Sequence, residues 1–526
     1  MVAVFIMQTA AIGLPTDVST LHSLLRDEQL RIENLHSEIE RLKEIIRLFQ
    51  AQRFGAKSEK LGDPDQLWMF NEAERAVNVP EPKSPQGSEE VAVASHTRKG
   101  KGVRKTLPEH LVRHDVVHDL AEEDKVCPHD GHALHRIGEE VSEQLTIIPA
   151  KLEVIRHIRP KYGCRQCESL VKIASMPPQA IPKSMASPSA LAYIATAKYE
   201  DALPLYRQSK IFERLDIDLP RSTLADWMVK AGELVKPLMN LMHEDLLGSS
   251  YVHMDETRVQ VLKEPGRAAK SLSQAWVLAR GGPKKIVFFE YDPSRSGEVA
   301  RRLLGDFQGY LQTDGYKGYD LVGKKPGIIH LACMAHVRRK FHEAVEARKK
   351  GGKPGVADEV LALIAKLYEV EAEGREMDPM QRKHLRDQKS RPILDSMRSL
   401  LDRALITVPP KTLTGKGAGY THKLWPRLIR YLDDGCLQID NNFIENCIRP
   451  FAIGRKNWQF SHAPCGAHAS MALYSMIETA KANDVNTYDY LCYVFAELPK
   501  AKILADYERL LPYNIDRKQL RSNQIN

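Results

Sequence analysis

Near the N-terminus, apolar residues recur at alternating steps of three and four positions. Glu, Arg and Lys fill the positions between them, as in ERLKEIIR, and the polar residue Glu28 interrupts the series once. Such a heptad pattern, over about four repeats, is typical of a coiled coil. The apolar positions are Leu21, Leu25, Ile32, Leu35, Ile39, Leu42, Ile46 and Phe49. We predict a coiled coil over residues 18–60 that joins copies of the chain; a helix packed on its own domain is the alternative.

A polar linker follows over residues 78–108. Its first half, NVPEPKSPQGSEE, has too few apolar residues to form a core. Its second half carries a basic run that either follows DNA phosphates or is a solvated tail. The residues of this run are Arg98, Lys99, Lys101, Arg104 and Lys105.

Helical spacing returns over residues 188–247. Two short amphipathic segments are joined by DIDLP, and Ser222 is a predicted N-cap for the second, TLADWMVK. The arrangement is similar to a helix-turn-helix, in which the second helix enters the major groove and Arg221 would contact DNA. A plain helical hairpin is the alternative.

Alternating apolar positions then indicate strands at 251–262, 273–280, 285–291, 309–315 and 327–333, with helices at 296–307 and 335–350. The order β-β-β-α-β, followed by more β and α, predicts an α/β fold with a ribonuclease-H-like core over residues 249–460. In that fold the first and fourth strands are neighbours, so the residues at their ends meet.

Residues 351–432 are charged and helical in pattern, which predicts a helical insertion in the core. The segment GKGAGY, 415–420, is predicted to be a flexible loop near its end. In the C-terminal region, 461–526, ASMALYSMIETAKAN fits a helix, and KNWQFS, which begins at Lys456, fits a strand.

Composition narrows the class of protein only slightly. The chain has 526 residues, 43% hydrophobic and 27% charged, with a net charge of +8. This is typical of a soluble protein and permits nucleic-acid binding. The first fourteen residues lack the features of a signal peptide, and no apolar run approaches the length of a membrane span. Of the eight cysteines, five are scattered. This usage indicates reduced thiols and a cytoplasmic location.

Three acidic motifs in the second half carry the candidate chemistry: HMDET around Asp255, LQTDGYKGY around Asp314 and IDNNFIENCIRP around Glu445. Acidic residues are uncommon inside strands. Carboxylates from separate elements can hold a pair of Mg²⁺ or Mn²⁺ ions for phosphoryl transfer. From the residues alone, Glu256 is an alternative to Asp255, and Asp440 is an alternative to Glu445.

The segment around Glu445 has the features of a helix start. Asp440, Asn441 and Asn442 are N-cap residue types, and Pro450 predicts that the helix ends near Arg449. Glu445 and Arg449 would share one face, where a simple ion pair is the alternative to a functional role. The predicted apolar face consists of Ile444, Cys447, Ile448 and Phe451.

From about residue 18 to 510, the chain resembles the transposases of the insertion-sequence-66 family, which are DDE enzymes. Besides the acidic motifs, the matching segments are RFGAKSEKL, PLYRQSKIFERL, CMAHVRRKF and IRPFAIGRKNWQF, in that order. The resemblance implies that Asp255, Asp314 and Glu445 are the catalytic residues and hold two Mg²⁺ or Mn²⁺ ions. Further residues predicted to contact DNA are Arg338, Arg339, Arg449, Arg455 and Lys456.

Two positions depart from the family pattern. Met334 stands where Trp is common, and the unit over residues 115–175 has Asp130 where a cysteine is common. Cys127, Cys164 and Cys167 have the spacing of structural zinc ligands and need a fourth. Asp130 has the expected spacing, and His129 and His132 lie close in sequence. We predict one Zn²⁺ held by Cys127, Asp130, Cys164 and Cys167; a unit that folds without metal is the alternative.

The resemblance implies an enzyme that cleaves the 3′ ends of its element with water and then joins the freed 3′-OH to target DNA. It also implies small accessory proteins encoded by the same element. The alternatives are a DNA-binding regulator or assembly subunit, and another ribonuclease-H-like nuclease, such as a resolvase or an RNA–DNA hybrid nuclease. The three carboxylates argue against a pure binding protein, and the long insertion argues against a minimal nuclease.

Overall fold

The computed structural model describes residues 17–54, 152–163, 171–348 and 352–522, together with residues 113, 115 and 132. The chain divides into two compact units, of which the smaller spans Gly62–Met176. In the smaller unit, β1 (Lys161–Gly163) pairs antiparallel with β2 (Val171–Ile173). The predicted linker, its basic run and the four predicted zinc ligands lie outside the described residues.

In the larger unit, the first described helix is α1, which spans 37 residues, Val18–Phe54. The predicted helix is therefore confirmed, whereas its pairing with another copy remains a prediction. Close to its C-terminal end, Arg47 Nε donates to the carbonyl of Ala347 at 2.8 Å, and Glu44 Oε2 accepts from the backbone N–H of Leu413 at 3.0 Å. These polar contacts fix one end of α1 on the rest of the unit.

Between residue 177 and the sheet, the chain forms four helices: α2 (Pro188–Tyr199), α3 (Leu205–Glu213), α4 (Arg221–Leu234) and α5 (Lys236–Leu247). The two amphipathic segments form α3 and α4, but the N-cap prediction for Ser222 is wrong. The helix begins at Arg221 and its N-cap is Pro220, with no side-chain cap. Pro needs no partner for a backbone N–H, so it suits this position, and Ser222 already lies within the first turn.

The central sheet contains five strands, β3 (Tyr251–Gln260), β4 (Leu272–Arg280), β5 (Ile286–Asp292), β6 (Gly309–Gln312) and β7 (Ile328–Leu331). Their order in the sheet is β5-β4-β3-β6-β7. β4 pairs antiparallel with β3 and β5, whereas β6 pairs parallel with β3 and β7. The predicted strands are confirmed, and so is the prediction that the first and fourth are neighbours. Helix α6 (Gly297–Leu304) lies between β5 and β6, and helix α7 (Met334–Glu346) follows β7.

The predicted insertion is helical, and it packs with β7 and α7 in a hydrophobic cluster separate from the main core. It contains α8 (Val356–Glu373), α9 (Pro379–Leu385), α10 (Arg391–Thr407) and α11 (Leu413–Leu428), with a π-helical turn at Arg386–Ser390 and a 3-10 turn at Ile429–Leu432. The loop predicted over 415–420 is wrong, because these residues lie inside α11. Glycine is needed there for close packing. A Cβ at Gly415 would come within 2.2 Å of the carbonyl oxygen of Pro409.

The C-terminal part is helical: α12 (Asn442–Trp458), α13 (Pro464–Ala482), α14 (Thr487–Glu497), α15 (Leu504–Glu508) and α16 (Arg517–Ser522). The predicted end near Pro450 is wrong, since α12 continues for two more turns. Pro450 removes one backbone donor, and burial of Phe451 against the core offsets this loss. The strand predicted from Lys456 is also wrong for its first three residues, because they belong to α12, which ends at Trp458. After the helix, Ser461 N donates to the carbonyl of Gln260 at 2.9 Å.

Helix α13, which confirms the predicted helix at 469–483, covers the edge strand β5. Ser475 Oγ accepts from the N–H of Phe289 at 2.7 Å, and Thr479 Oγ1 accepts from that of Val287 at 3.0 Å. These hydroxyls satisfy backbone groups that a sheet edge leaves open. No helix in the described part of the chain combines the length and apolar character that a membrane span requires.

Candidate active site

The register of the sheet brings the two aspartates together. In the parallel pair of β3 and β6, Val252 lies opposite Leu311 and His253 lies opposite Gln312. The offset of 59 residues continues to Asp255 and Asp314, which follow the last paired residues by two positions. Burial, and then the nearby charges of Glu256 and Asp314, raise the pKa of Asp255 well above its usual value. The two carboxylates therefore lie close enough to repel each other.

Glu445 joins this pair from the first turn of α12. Burial raises its pKa, and the charges of Asp440 and Asp314 add to this effect, while Arg339 opposes it. Glu445 also contributes to the raised pKa of Asp255. The structure thus brings all three sequence-predicted carboxylates to one site, although 131 positions separate Asp314 from Glu445.

Glu256 has a different environment from its neighbour Asp255. Arg295 donates to Glu256 Oε1 from Nε at 2.7 Å, and the hydroxyl of Tyr319 donates to Oε2. The side chain of Glu256 is only 1% exposed. For Asp255, the hydrogen bond is from the backbone N–H of Glu256, at 2.8 Å. Both oxygens of Glu256 are therefore occupied by protein donors, which leaves Asp255 as the better metal ligand.

Asp440, the alternative to Glu445, is held in place by hydrogen bonds. Its Oδ2 accepts from the hydroxyl of Tyr368 at 2.7 Å and from Asn442 Nδ2 at 2.9 Å, and its Oδ1 accepts from the N–H of Asn442 at 3.0 Å. Asp440 therefore stabilises the start of α12 and links it to the helical insertion through Tyr368 on α8.

Asn441 attaches the start of α12 to the central strand. Its Oδ1 lies 2.7 Å from His253 Nδ1, and its backbone N–H donates to Cys333 Sγ at 3.2 Å. Burial lowers the pKa of His253 to about 4, so the ring is neutral and Nδ1–H can donate. This contact ties the helix that carries Glu445 to the strand that carries Asp255.

A second attachment comes from the insertion through buried Arg386. Its guanidinium donates to both carboxylate oxygens of Glu371, at 2.9 and 2.6 Å. It also donates to backbone carbonyls in the segment before α12. Those carbonyls belong to Tyr431, Asp434 and Leu437. A bidentate guanidinium–carboxylate pair is geometrically specific, so the insertion fixes the approach of the chain to Glu445.

Comparison with known proteins identifies the family. Residues 183–469 match the family described as "Transposase IS66 family". The chain belongs to the IS66 transposase family. Residues 124–168 match a "zinc-finger binding domain of transposase IS66", residues 41–116 match "Transposase C of IS166 homeodomain", and residues 475–513 match an "IS66 C-terminal element". These matches confirm the resemblance found in the motifs and support a transposase role.

The chain is also similar to proteins of Sinorhizobium fredii. It is 32% identical to uncharacterized protein y4jD, over 95% of this chain and 97% of that one. It is 30% identical to uncharacterized protein y4qI, over 95% of this chain and 92% of that one. No solved structure matches the chain. The activity must therefore be argued from the site itself.

The basic residues predicted to contact DNA are distributed over several elements. Arg339 Nη2 lies 3.8 Å from Glu445 Oε2 and its side chain is half exposed. The charge of Arg449 also reaches Glu445. Arg455 Nη1 instead donates to Thr257 Oγ1 at 3.0 Å, so it supports β3. Arg338 is half-buried on α7, Arg221 is exposed at the start of α4, and Lys456 is exposed on α12.

Helices α2 to α5 are part of the core rather than a separate module. The face of α4 that includes Leu224 and Trp227 is buried. A Cβ at Gly232 would meet the backbone of Ala469 on α13 at 2.6 Å. The exposed face pairs Asp226 with Lys230 at 2.7 Å. Recognition of DNA by this helix remains a prediction, and its exposed face carries charges of both signs.

Three residues near the site had no role assigned from the sequence. Tyr420 on α11 packs against Gly315, beside Asp314, and Lys340 Nζ lies 4.6 Å from the centre of its ring. Cys333 and His336 form, with Glu445, a group of potential metal ligands. The C-x-x-H spacing within CMAHVRRKF was the signal that could have indicated the last two.

Proposed function

We propose that the protein is a metal-dependent DDE transposase with Asp255, Asp314 and Glu445 as its catalytic residues. The observation that carries the proposal is the convergence of three partly buried carboxylates from two neighbouring strands and one helix. The enzyme would bind the ends of its element, cleave the 3′ ends with water, and join the freed 3′-OH to target DNA. Membership of the IS66 transposase family supports this proposal.

A ribonuclease-H-like description of the core is part of the proposal. The sheet order β5-β4-β3-β6-β7, with three antiparallel strands followed by two parallel ones, supports it. So does the connection through α6 between β5 and β6. In this arrangement the carboxylates lie at the carboxyl end of β6, beside the middle of the central strand β3. Ligands of α/β sheets commonly bind at the carboxyl ends of strands.

The residues fit a pair of hard divalent cations. Burial raises the pKa of Asp255, Asp314 and Glu445, and mutual repulsion raises it further for Asp255 and Glu445. A cation would offset that repulsion, and Glu445 Oε1 is buried with no hydrogen-bond partner in the described part of the chain. Oxygen ligands suit Mg²⁺ or Mn²⁺. Two such ions, when bound, activate the attacking oxygen and stabilise the leaving one.

The chain's own residues would position the DNA and the carboxylates. The half-exposed guanidinium of Arg339 is placed to contact a phosphate next to the reacting bond. Arg338, Arg449, Arg221 and Lys456 would contribute further phosphate contacts, as would the basic run at 98–105. Glu256 would stay paired with Arg295 and hold the middle of β3 in place.

The remaining partners follow from the other matched segments. The segment 124–168 would hold one Zn²⁺ through Cys127, Asp130, Cys164 and Cys167 and would bind DNA. The helix α1 would pair two or more copies, and small accessory proteins of the element would join the complex. A cytoplasmic location follows from DNA as the substrate.

The decisive experiment is cleavage of a DNA fragment that carries the element's ends, with binding measured in parallel. We expect Asp255→Asn, Asp314→Asn and Glu445→Gln each to lower cleavage by at least about 100-fold while binding survives. Because the site acts as a unit, double substitutions should add little. Asp306→Asn, a fully exposed carboxylate of the same core, is the matched control.

Metal dependence gives a second measurement. Ca²⁺ should support binding but not cleavage, because its loose coordination does not hold the reacting oxygens in line. Full cleavage by any of the three variants would remove that residue from the catalytic set. Cleavage without a divalent metal would reject the mechanism.

A further inference from the structure

Two helix N-termini bring soft and hard metal ligands together beside the carboxylates. Cys333 is the N-cap of α7, and His336 follows three positions later. N-cap and N3 side chains approach each other in the first turn of a helix. Glu445 reaches the same place from the first turn of α12. One ligand atom from each of Cys333, His336 and Glu445 lies within 4.8 Å of the other two.

Two facing atoms of this group are buried and unsatisfied. His336 Nδ1 and Glu445 Oε1 are both buried, and neither has a hydrogen-bond partner among the described residues. They lie 3.8 Å apart. That separation is too long for a hydrogen bond. It is close to the distance of about 3.4 Å expected between two ligands of one tetrahedral zinc ion.

We propose that Cys333, His336 and Glu445 bind one divalent cation of the zinc class. Thiolate and imidazole ligands favour zinc over magnesium, and three protein ligands leave a fourth position open. The backbone N–H of Asn441, which donates to Cys333 Sγ at 3.2 Å, would orient the sulfur. This ion is distinct from the one predicted at the zinc-finger segment.

One consequence rests on the proposed function, whereas the binding itself does not. An ion held by Cys333 and His336 would draw Glu445 away from Asp255 and Asp314. Zn²⁺ should therefore inhibit Mg²⁺-dependent cleavage by the wild type, and His336→Ala should be less sensitive. Because the ligands lie on α7 and α12, this sensitivity would be a property of the catalytic core alone.

The test is the zinc bound per chain and its affinity, measured on the full chain by elemental analysis and calorimetric titration. We expect His336→Ala and Cys333→Ser each to bind one Zn²⁺ fewer than the wild type, or to bind it at least about 10-fold more weakly. The serine hydroxyl keeps an acceptor for Asn441, so Cys333→Ser decides the question if His336→Ala does not fold. His342→Ala, two turns along the same helix, is the matched control and should bind as the wild type does.

Equal zinc content and affinity in His336→Ala, Cys333→Ser and wild type would overturn the proposal. Asp255→Asn separates it from the proposed function, since that variant should lose cleavage and keep the zinc. A protein that cleaves normally but has no zinc difference would refute only this inference. A protein that shows the zinc difference but never cleaves DNA would refute only the catalytic proposal.

Discussion

Two adjacent acidic residues on β3 illustrate how environment separates chemical roles. Glu256 is buried, but Arg295 and Tyr319 occupy its oxygens. Asp255 faces other carboxylates, and burial followed by the charges of Glu256 and Asp314 raises its pKa. Without a bound cation, the charged form of Asp255 therefore destabilises the folded protein. Functional sites commonly contain groups that lower the stability of the folded protein.

The first residue-scale prediction concerns Asp255→Asn in the absence of divalent metal. The pKa of Asp255 is raised in the folded state. Above about pH 4, the folded state therefore binds more protons than the unfolded state. The stability of the folded protein then falls as pH rises. Every tenfold change in the ionisation constant between the two states corresponds to about 1.4 kcal/mol. The variant should therefore be more stable than the wild type at pH 7, and the difference should shrink toward pH 4.

Thermal unfolding from pH 4 to 8 measures this difference directly. Added Mg²⁺ should raise the melting temperature of the wild type more than that of Asp255→Asn, because binding stabilises only a competent site. A variant that is less stable than the wild type at pH 7 without metal would contradict the repulsion between these carboxylates.

At the scale of elements, α11 shows how glycines can mark close packing rather than a loop. Gly415 meets the backbone of Pro409, and Gly417 lies against the ring of Phe341 on α7. Thr412 caps the helix through its hydroxyl, which accepts from the N–H of Gly415 at 3.1 Å. The helix then presents Tyr420 to the loop that follows Asp314.

A matched pair of substitutions tests this arrangement. Gly415→Ala should lower the free energy of unfolding by about 1–3 kcal/mol, because the new methyl group meets backbone atoms. Gly419→Ala, in open space on the same helix, should raise it by about 0.5–1 kcal/mol, because Ala favours the helix. Chemical denaturation measures both. If the two changes have equal effects, the close packing of α11 is wrong.

A further element-scale prediction concerns the zinc-finger segment. Three cysteines at structural-zinc spacing should hold one Zn²⁺ per chain, with Asp130 as the fourth ligand. Elemental analysis of Cys164→Ser should show one zinc fewer than the wild type. Zinc content unaffected by this change would reject the assignment, and His129→Ala, which leaves the predicted ligands intact, is its control.

At the scale of the whole molecule, α1 presents an apolar stripe that the described part of the chain leaves largely uncovered. Ile39 and Leu42 are each 46% exposed. The contacts of α1 with the rest of the larger unit through Arg47 and Glu44 are polar. An amphipathic helix packed on its own domain would instead bury these apolar positions, so the stripe favours pairing with another copy.

The double variant Ile39→Asp with Leu42→Asp should therefore weaken self-association. A charge buried without a partner costs about 3–5 kcal/mol. Light scattering should report a smaller mass for this variant than for the wild type. Asn34→Asp adds a charge outside the seam and should leave the mass unchanged. An identical mass for wild type and double variant would reject the coiled coil.

The sequence alone determined the order of the strands and most of the helices, because heptad spacing and strand alternation are local patterns. It also indicated the site, since the order of strands makes β3 and β6 neighbours and brings Asp255 to Asp314. Tertiary structure decided the features that depend on contacts between residues far apart in the chain. Strand alternation does not say which of Asp255 and Glu256 points toward the site. The contacts of Arg295 and Tyr319 with Glu256 favour Asp255.

Dependence on distant contacts also explains why the predictions for α11 and α12 were wrong. Glycine and proline are local signals of loops and helix ends, but packing against Pro409 and burial of Phe451 override them in α11 and α12. The group of Cys333, His336 and Glu445 forms only because two helix N-termini, distant from each other in sequence, meet in the fold. No local pattern encodes such a meeting, since it depends on how the insertion returns the chain to the sheet.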